Sequence, residues 1–366
     1  MSIEFSTERW KRVKDSSRKW WAHELDRPLI QIPVGGYEAK RPKPEIPWHY
    51  LTSFYGLSVP SEQIVDWWEY NLQCTRFLGD AFPHVIPYFG AGVAAAFMGA
   101  ELFNGIEGKT TWFRPKQIKK PRDLSLRHDP ADRWWPRVCE IYKAAGERFG
   151  GLVQIDMTDL GGSLDLVSTF RPSENLLLDL YDSPEEVKRL TWEAHGRWWD
   201  YFSQISDMCG ADNPGYTCWT PIFSEKPYYM LQCDFSYMIG PDMFEEFVKP
   251  ELAASCRRLA NAFYHLDGPG QLPHLESLLS IPDLKGVQWV PGAGQPDITK
   301  WPDVYRRIHK AGKLIQVFQR QSKVGLAALD IIADQIGTAK GIIFLGDVGR
   351  RSEDAAMRVL ERYGAL

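Results

Sequence analysis

Short apolar runs, each bounded by Gly, Pro or Asp, recur along the 366-residue chain and constrain its fold more than any other feature. Segments with helical periodicity lie between them, and several of these begin with helix-start signals such as Ser183-Pro184 and Ser352-Glu353. Continuous apolar strands that alternate with helices indicate a parallel sheet. The sequence therefore predicts an α/β fold, a single (β/α)8 TIM barrel. Its eight predicted strands lie at 28–34, 84–89, 151–156, 215–220, 262–267, 286–290, 314–318 and 341–345.

The same pattern predicts one domain over residues 1–366, with no linker or internal repeat. Residues 1–27 are expected to form an N-terminal helical extension. The Pro- and Gly-rich stretch 35–60 and the polar stretch 100–136 are expected to be long loops. We expect the N-terminal helical and loop extension to cover the mouth of the barrel.

Composition narrows the class of function. A hydrophobic content of 44% and a charged content of 25% are typical of a globular protein. The net charge of −4 offers no basic face for nucleic acid. No run is long enough to span a bilayer and no signal peptide is evident, so we expect a cytoplasmic protein without a membrane partner. The Gly-rich stretch 90–99 lacks the GxGxxG and GK[ST] patterns, so no NAD or nucleotide is expected.

Polar residues at predicted strand ends are the catalytic candidates, because the carboxyl ends of barrel strands build active sites. His265 and Asp267 end one strand on the same side, since side chains alternate along a strand. Asp347 follows the last strand, and Asp156 ends the third. Seven further residues at strand ends or in the N-terminal loop are candidates for binding a small-molecule substrate: Tyr37, Asp159, Trp219, Asp234, Trp289, Gln295 and Gln316.

Four segments in the same order resemble the uroporphyrinogen decarboxylase superfamily. They are DLGGSLDLVSTFRPSENLLLDLYDSPEEVKRL (159–190), LQCDFSYMIGPDMFEEFVKPEL (231–252), YHLDGPGQLPHLESLL (264–279) and GIIFLGDVG (341–349). The stretch AFPHVIPYFGAGVAAAFMGAE (81–101) also resembles the family's early strand and helix. The resemblance implies the barrel fold over nearly the whole chain.

Two branches of that superfamily imply different chemistry. The decarboxylase holds its acidic tetrapyrrole with arginines from a loop of the RQAGRY type. Here the loop reads Pro33-Val34-Gly35-Gly36-Tyr37-Glu38, and the nearest arginine is Arg41. The sequence is thus nearer the methyltransferases that transfer a methyl group from a corrinoid protein to a thiol, which implies a corrinoid-carrying partner.

Those methyltransferases bind zinc through a His-x-Cys pair and a later Cys. In this sequence His265 falls on the family His, and Asp267 and Asp347 fall on the two cysteines. The resemblance therefore implies a metal site of His265, Asp267 and Asp347, holding zinc or another divalent ion. Oxygen ligands would shift its preference towards harder metals.

Two alternatives remain open at this stage. The same carboxylates could serve a metal-free lyase, decarboxylase or hydrolase acting on an aromatic or sugar-like substrate by acid and base catalysis. The barrel could instead bind a small ligand without catalysis. A homo-oligomer is compatible with either of these and with the methyltransferase.

Overall fold

The computed structural model describes residues 3–105 and 110–366. Its helices alternate with strands along the chain, as the sequence pattern predicts. The α-helices are α1 Thr7–Trp21, α2 Ser61–Gln73, α3 Ala94–Phe97, α4 Trp134–Phe149, α5 Ser163–Phe170, α6 Ser173–Asp182, α7 Pro184–Cys209, α8 Pro241–Phe247, α9 Lys249–Arg258, α10 Leu275–Leu279, α11 Pro302–Lys310, α12 Ala328–Ile336 and α13 Glu353–Tyr363.

A central sheet of eight strands, most of them parallel, forms the core, with helices packed around it. The strands are β1 Leu29–Gly35, β2 Thr75–Gly79, β3 His84–Val85, β4 Glu101–Asn104, β5 Thr111–Arg114, β6 Gln154–Ile155, β7 Tyr228–Leu231, β8 Asn261–Asp267, β9 Leu284–Val290, β10 Leu314–Phe318, β11 Ile342–Leu345 and β12 Val348–Gly349. The sheet has the order β12-β1-β11-β10-β9-β8-β7, with β2 antiparallel on β1. In the described chain, β3 and β6 form a separate parallel pair and β4 and β5 a hairpin.

The predicted strand at 215–220 is wrong. That segment forms an isolated bridge between Tyr216 and Ser224 in place of a strand. The strand that pairs with β8 is β7, which begins at Tyr228, eight residues after Thr220. The other seven predicted strands overlap β1, β3, β6, β8, β9, β10 and β11, although β3 and β6 are only two residues long. The antiparallel strand β2 beside β1 is a further departure from eight uniform parallel units.

Alternation along the strands separates the face inside the curved sheet from the face under the helices. Phe263 on β8 lies inside, because Trp289 on β9 packs against Trp301 beside α11, and its register partner Leu266 lies three residues from Phe263 and so on the opposite face. The side chain of His265, two residues along, lies on the same face. Gln288 pairs with His265 and also faces inward, so Trp289 faces the helices.

The N-terminal helix α1 lies at the amino ends of the strands, opposite to the expected position over the mouth. Trp10 donates a hydrogen bond from Nε1 to the Leu152 carbonyl just before β6, at 2.9 Å. Trp20 is 1% exposed and stacks on Phe263, near the start of β8. The helix therefore closes the floor of the sheet, because its aromatic face supplies the apolar surface that the strand starts bury.

The loop part of the expected cover does lie at the carboxyl ends of the strands. The backbone amide of Thr52 donates to the Tyr88 carbonyl at 2.6 Å, and the β4–β5 hairpin reaches the same region through Asn104, which bonds the Ser53 carbonyl. Among the described residues, none of the helices has the length and apolar character needed to cross a membrane.

Candidate active site

A cluster of one imidazole and two carboxylates lies at the carboxyl ends of β7 and β8. His265 and Asp267 share a face of β8, and Asp234 begins the short turn that follows β7. One ligand atom from each of the three residues lies within 4.8 Å of the other two. His265 Nε2 is 3.9 Å from an Asp267 carboxylate oxygen. Three polar side chains at the ends of two neighbouring strands thus converge on one position.

Asp165, in the first turn of α5, holds the turn that carries Asp234. Its carboxylate accepts hydrogen bonds from the backbone amides of Asp234 and Phe235, at 3.0 and 2.8 Å. This arrangement fixes where the Asp234 side chain leaves the backbone. It also places a second carboxylate beside the cluster.

Carboxylates near the cluster have raised pKa values because they lie close to one another and lose part of their hydration, although Asp159 alone among them is buried and Asp234 stays exposed. Burial raises the pKa of Asp159 to about 7, and the carboxylates of Asp234 and Asp165 add to the effect while the Gly161 amide opposes it. Burial and Asp234 raise the pKa of Asp165. Enclosure raises the pKa of Asp234, His265 lowers it and Asp267 raises it. The site is therefore an electronegative pocket that would gain from a bound cation.

Two amide side chains lie behind His265. Its Nδ1 contacts the side-chain oxygen of Gln288, and Gln288 donates from Nε2 to the Gln316 oxygen at 2.8 Å. Trp219 meets the imidazole edge-on, with ring centroids 5.0 Å apart. The ring of His265 is thus held from two sides.

A cavity of about 510 Å³ opens next to Asp234. Its walls carry the carboxylates of Asp165 and Asp234 and the aromatic rings of Tyr88, Trp112 and Phe113. Among the residues that the structure describes, no Lys, Arg or His lines it. The cavity is thus acidic and aromatic, which disfavours a polyanionic ligand.

Asp347 lies apart from the cluster. Its carboxylate accepts a hydrogen bond from Arg320 at 2.9 Å on an exposed surface, and its backbone amide bonds to Gln319. The third carboxylate beside His265 and Asp267 is Asp234, which the sequence suggested only as a substrate-binding residue. Among the described residues, the structure thus brings Asp234, and not the expected Asp347, within 4.8 Å of His265 and Asp267.

Asp156 is fully buried and belongs to a different group of side chains. It accepts hydrogen bonds from His84 Nδ1 at 2.6 Å and from the Thr217 hydroxyl. His84, on the neighbouring strand β3, was not among the sequence candidates. Its contact with Asp156 depends on the pairing of β3 with β6, which no local sequence pattern reveals.

Two of the expected substrate-binding residues, Trp289 and Tyr37, lie elsewhere. Trp289 is fully buried and packs edge-on against Trp301 on the helix side of β9, which leaves no surface of its side chain open to a substrate. Tyr37 does not line the cavity beside Asp234; its hydroxyl bonds to Glu353, and the guanidinium groups of Arg76 and Arg350 lie over its ring.

Gln295 is exposed in the loop after β9. Asp159 is buried close to Asp165 and Asp234, and Gln316 is buried behind His265. Asp165, Gln288 and Tyr88 were missed. Of these, only Gln288 could have been found from the sequence. Side chains alternate along a strand, so once the inner face of β9 is known, Gln288 next to Trp289 is a polar residue on that face.

The donors of the cluster fit a divalent cation. One imidazole nitrogen with two carboxylate oxygens resembles the three-ligand sets that leave an open position on catalytic zinc, and oxygen donors also suit harder ions. Asp234, His265 and Asp267 could hold such an ion. Fold and site together define an α/β protein with a nitrogen and carboxylate cluster at the carboxyl ends of its parallel strands.

The chain is similar in fold to a solved structure, a methyltransferase from Methanosarcina mazei. The match covers 92% of this chain and 93% of that chain, with a TM-score of 0.59 and 13% sequence identity. At this identity the likeness shows the fold alone. No protein-family model matches the sequence, and neither does any curated protein.

Proposed function

We propose that this protein is a metal-dependent methyltransferase that works with a corrinoid-carrying partner protein. The observation that carries the proposal is the cluster of Asp234, His265 and Asp267 at the edge of an acidic, aromatic cavity. The sequence resemblance and the fold likeness to a methyltransferase support it. The decarboxylase activity is disfavoured, because an acidic tetrapyrrole needs several cations in the cleft and the described walls offer carboxylates instead.

In this proposal Asp234, His265 and Asp267 hold the metal. When bound, the metal would keep an acceptor thiol deprotonated at neutral pH. Asp165 sets the position of Asp234 through its two backbone hydrogen bonds. Trp219 shields one edge of His265 and limits its movement.

The cavity walls indicate the kind of substrate. Aromatic faces bind cations, and buried carboxylates are stabilised by them. We therefore expect a neutral or cationic small molecule in the cavity beside Asp165 and Asp234, and not an acidic one. Weaker binding of a carboxylated analogue than of its neutral amide would support this expectation.

The surface around the carboxyl ends of the strands has the character of a docking site for a partner protein. Large apolar side chains are exposed there, among them Tyr50 at 63%, Trp112 at 59% and Met238 at 45%. Trp112 and Met238 also line the cavity. A partner that carries a large cofactor would need such an apolar rim to seal the mouth against water.

A metal-free acid and base enzyme is the second candidate. The observation that favours it is Asp159, whose pKa near 7 suits proton transfer at neutral pH. Asp165 and Asp234 lie close enough to raise that pKa. In this case the enzyme would be a lyase or hydrolase, and Asp159 would carry the proton.

We infer in addition that the sheet closes into a (β/α)8-type barrel. Supporting this, the backbone amide of Met157, just after β6, donates to the Thr217 carbonyl at 3.0 Å. The amide of Asp80 donates to the Ile30 carbonyl at 2.7 Å, between β1 and the turn into β3. The first contact joins the end of β6 to the segment that precedes β7, and the second joins β1 to the turn that leads into β3.

Metal analysis and a methyl-transfer assay test the proposal together. The purified protein is dialysed against Zn²⁺, and bound metal is counted for wild type, Asp267→Ala and Asp347→Ala. Loss of metal in Asp267→Ala with retention in Asp347→Ala supports the cluster. Demethylation of free methylcobalamin by a thiol, accelerated only by the metal-loaded wild type, supports the reaction. Absence of both metal and acceleration would overturn it.

A further inference from the structure

His265, Gln288 and Gln316 form one row across three neighbouring strands. Gln288 is the register partner of His265 between β8 and β9, and Gln316 is the partner of Gln288 between β9 and β10. Gln288 is 1% exposed and Gln316 is fully buried. A buried amide beside a buried amide is expected to be held in one orientation, because each polar atom needs a partner.

The hydrogen bonds give the row a direction. Gln288 donates from Nε2 to the Gln316 oxygen at 2.8 Å, so its own oxygen is the atom that faces His265 Nδ1. An amide oxygen can only accept a hydrogen bond. Nδ1 of His265 must therefore carry the hydrogen. In a neutral imidazole the other nitrogen, Nε2, then has a free lone pair.

The free lone pair lies on the side of the carboxylates. Nε2 is the atom 3.9 Å from Asp267, and Asp234 completes the group. Turning both amides over would reverse this result. Gln288 would then donate to Nδ1, the hydrogen would move to Nε2, and His265 could no longer offer that nitrogen as a ligand.

The two carboxylates favour the observed direction. A positive species at Nε2, whether a proton or a metal ion, requires that Nδ1 also carries its hydrogen, and Gln288 accepts it. The same arrangement leaves Gln316 Nε2 without a hydrogen-bond partner among the described residues. The row is therefore oriented from the His265 end by charge.

We propose that Gln288 and Gln316 are positioning residues that hold His265 with hydrogen on Nδ1 and its Nε2 lone pair towards Asp234 and Asp267. The inference rests on the proposed function where it concerns metal binding. The position of the hydrogen does not depend on a metal. Two measurements keep these parts separate.

The first measurement locates the hydrogen in metal-free protein. Nitrogen-15 NMR of labelled histidines, at a pH where the ring is neutral, is expected to show His265 with hydrogen on Nδ1. Gln316→Leu removes the acceptor that orients Gln288 and is expected to move part of the population to the Nε2–H form. Hydrogen on Nε2 in the wild type would overturn the inference. So would a Gln316→Leu spectrum identical to wild type.

The second measurement is the affinity for Zn²⁺, obtained by competition with a chelator. Gln288→Leu and Gln316→Leu are each expected to weaken binding about 10- to 100-fold, the usual effect of losing a group that orients a ligand. Gln316→Glu keeps an acceptor oxygen at this position whether the carboxyl is ionised or protonated, so it should orient Gln288 as in wild type and restore the affinity. Gln335→Leu, on α12 away from the cluster, is the matched control and should bind like wild type.

The outcomes separate the two proposals. If wild type binds no Zn²⁺ but the NMR shows hydrogen on Nδ1, the metal function fails and the positioning role stands. If Zn²⁺ binds equally to wild type, Gln316→Leu and Gln316→Glu, the positioning role fails and the metal function stands. Should a Leu variant not fold, the wild-type NMR spectrum still decides where the hydrogen lies.

Discussion

Nδ1 of His84 lies 2.6 Å from a carboxylate oxygen of Asp156, which has no exposed surface. Asp156 opposes the desolvation of His84 strongly enough that the His84 pKa is raised. Burial in turn raises the pKa of Asp156, against the effects of His84 and Thr217. The pair thus joins β3 to β6 at a point where the central sheet makes no ladder with either strand in the described chain.

Asp156→Asn is expected to lower the pKa of His84, because it removes the negative charge and leaves desolvation. The raised His84 pKa stabilises the fold most below the ordinary histidine value of about 6.5, and this stabilisation is lost as the pH rises through the raised pKa. The variant should therefore be further below wild type in free energy of unfolding at pH 6 than at pH 8. Urea unfolding at the two pH values measures this, and an equal gap at both would contradict it.

Asp159→Asn is expected to stabilise the protein at pH 8. Burial raises the Asp159 pKa from 3.8 to about 7, so ionisation destabilises the fold progressively between those values. The gain should be of the order of a few kcal/mol at pH 8 and should vanish below pH 4, since about 1.4 kcal/mol corresponds to one pKa unit. Thermal unfolding across this pH range checks the sign. A variant that is less stable than wild type at pH 8 would refute it.

Trp20→Ala should destabilise the protein by about 3–5 kcal/mol, because it empties the floor of the sheet under Phe263. Trp192→Ala is the matched control. Its indole is 47% exposed on α7, so its loss should change the free energy of unfolding by about 0.5 kcal/mol or less. Guanidinium unfolding followed by circular dichroism compares the two. Similar losses would show that α1 is not the floor.

Gly286→Ala should cost about 1–3 kcal/mol, because the new methyl group would lie 2.1 Å from the Phe263 ring and 2.6 Å from the Leu314 carbonyl. Gly196→Ala tests the same substitution inside α7, where nothing lies within 4 Å. That variant should be stabilised by roughly 0.5–1 kcal/mol through helix propensity. Melting temperatures of both proteins decide the matter, and a harmless Gly286→Ala would contradict the close approach.

The sequence predicted the strands that local pattern defines and missed what long-range pairing decides. His265 and Asp267 share a face because alternation is local. Asp234 replaces Asp347 because the turn after β7 is fixed by Asp165, about 70 residues earlier in the chain. The segment 215–220 has strand-like composition, but it forms an isolated bridge with Ser224 and a backbone hydrogen bond with Met157 in place of a ladder, which composition does not reveal.

The pairing of β1 with β11 has a consequence for synthesis on the ribosome. The first strand of the central sheet forms parallel hydrogen bonds with residues more than 300 positions later, at Leu29 with Ile343 and Gln31 with Leu345. Until that late segment emerges, β1 can pair with β2 along one edge, while its other edge stays open. Contacts between residues so far apart in the sequence form slowly. The nascent chain therefore carries an open strand edge through most of its translation, and such an edge can pair with another chain before β11 covers it.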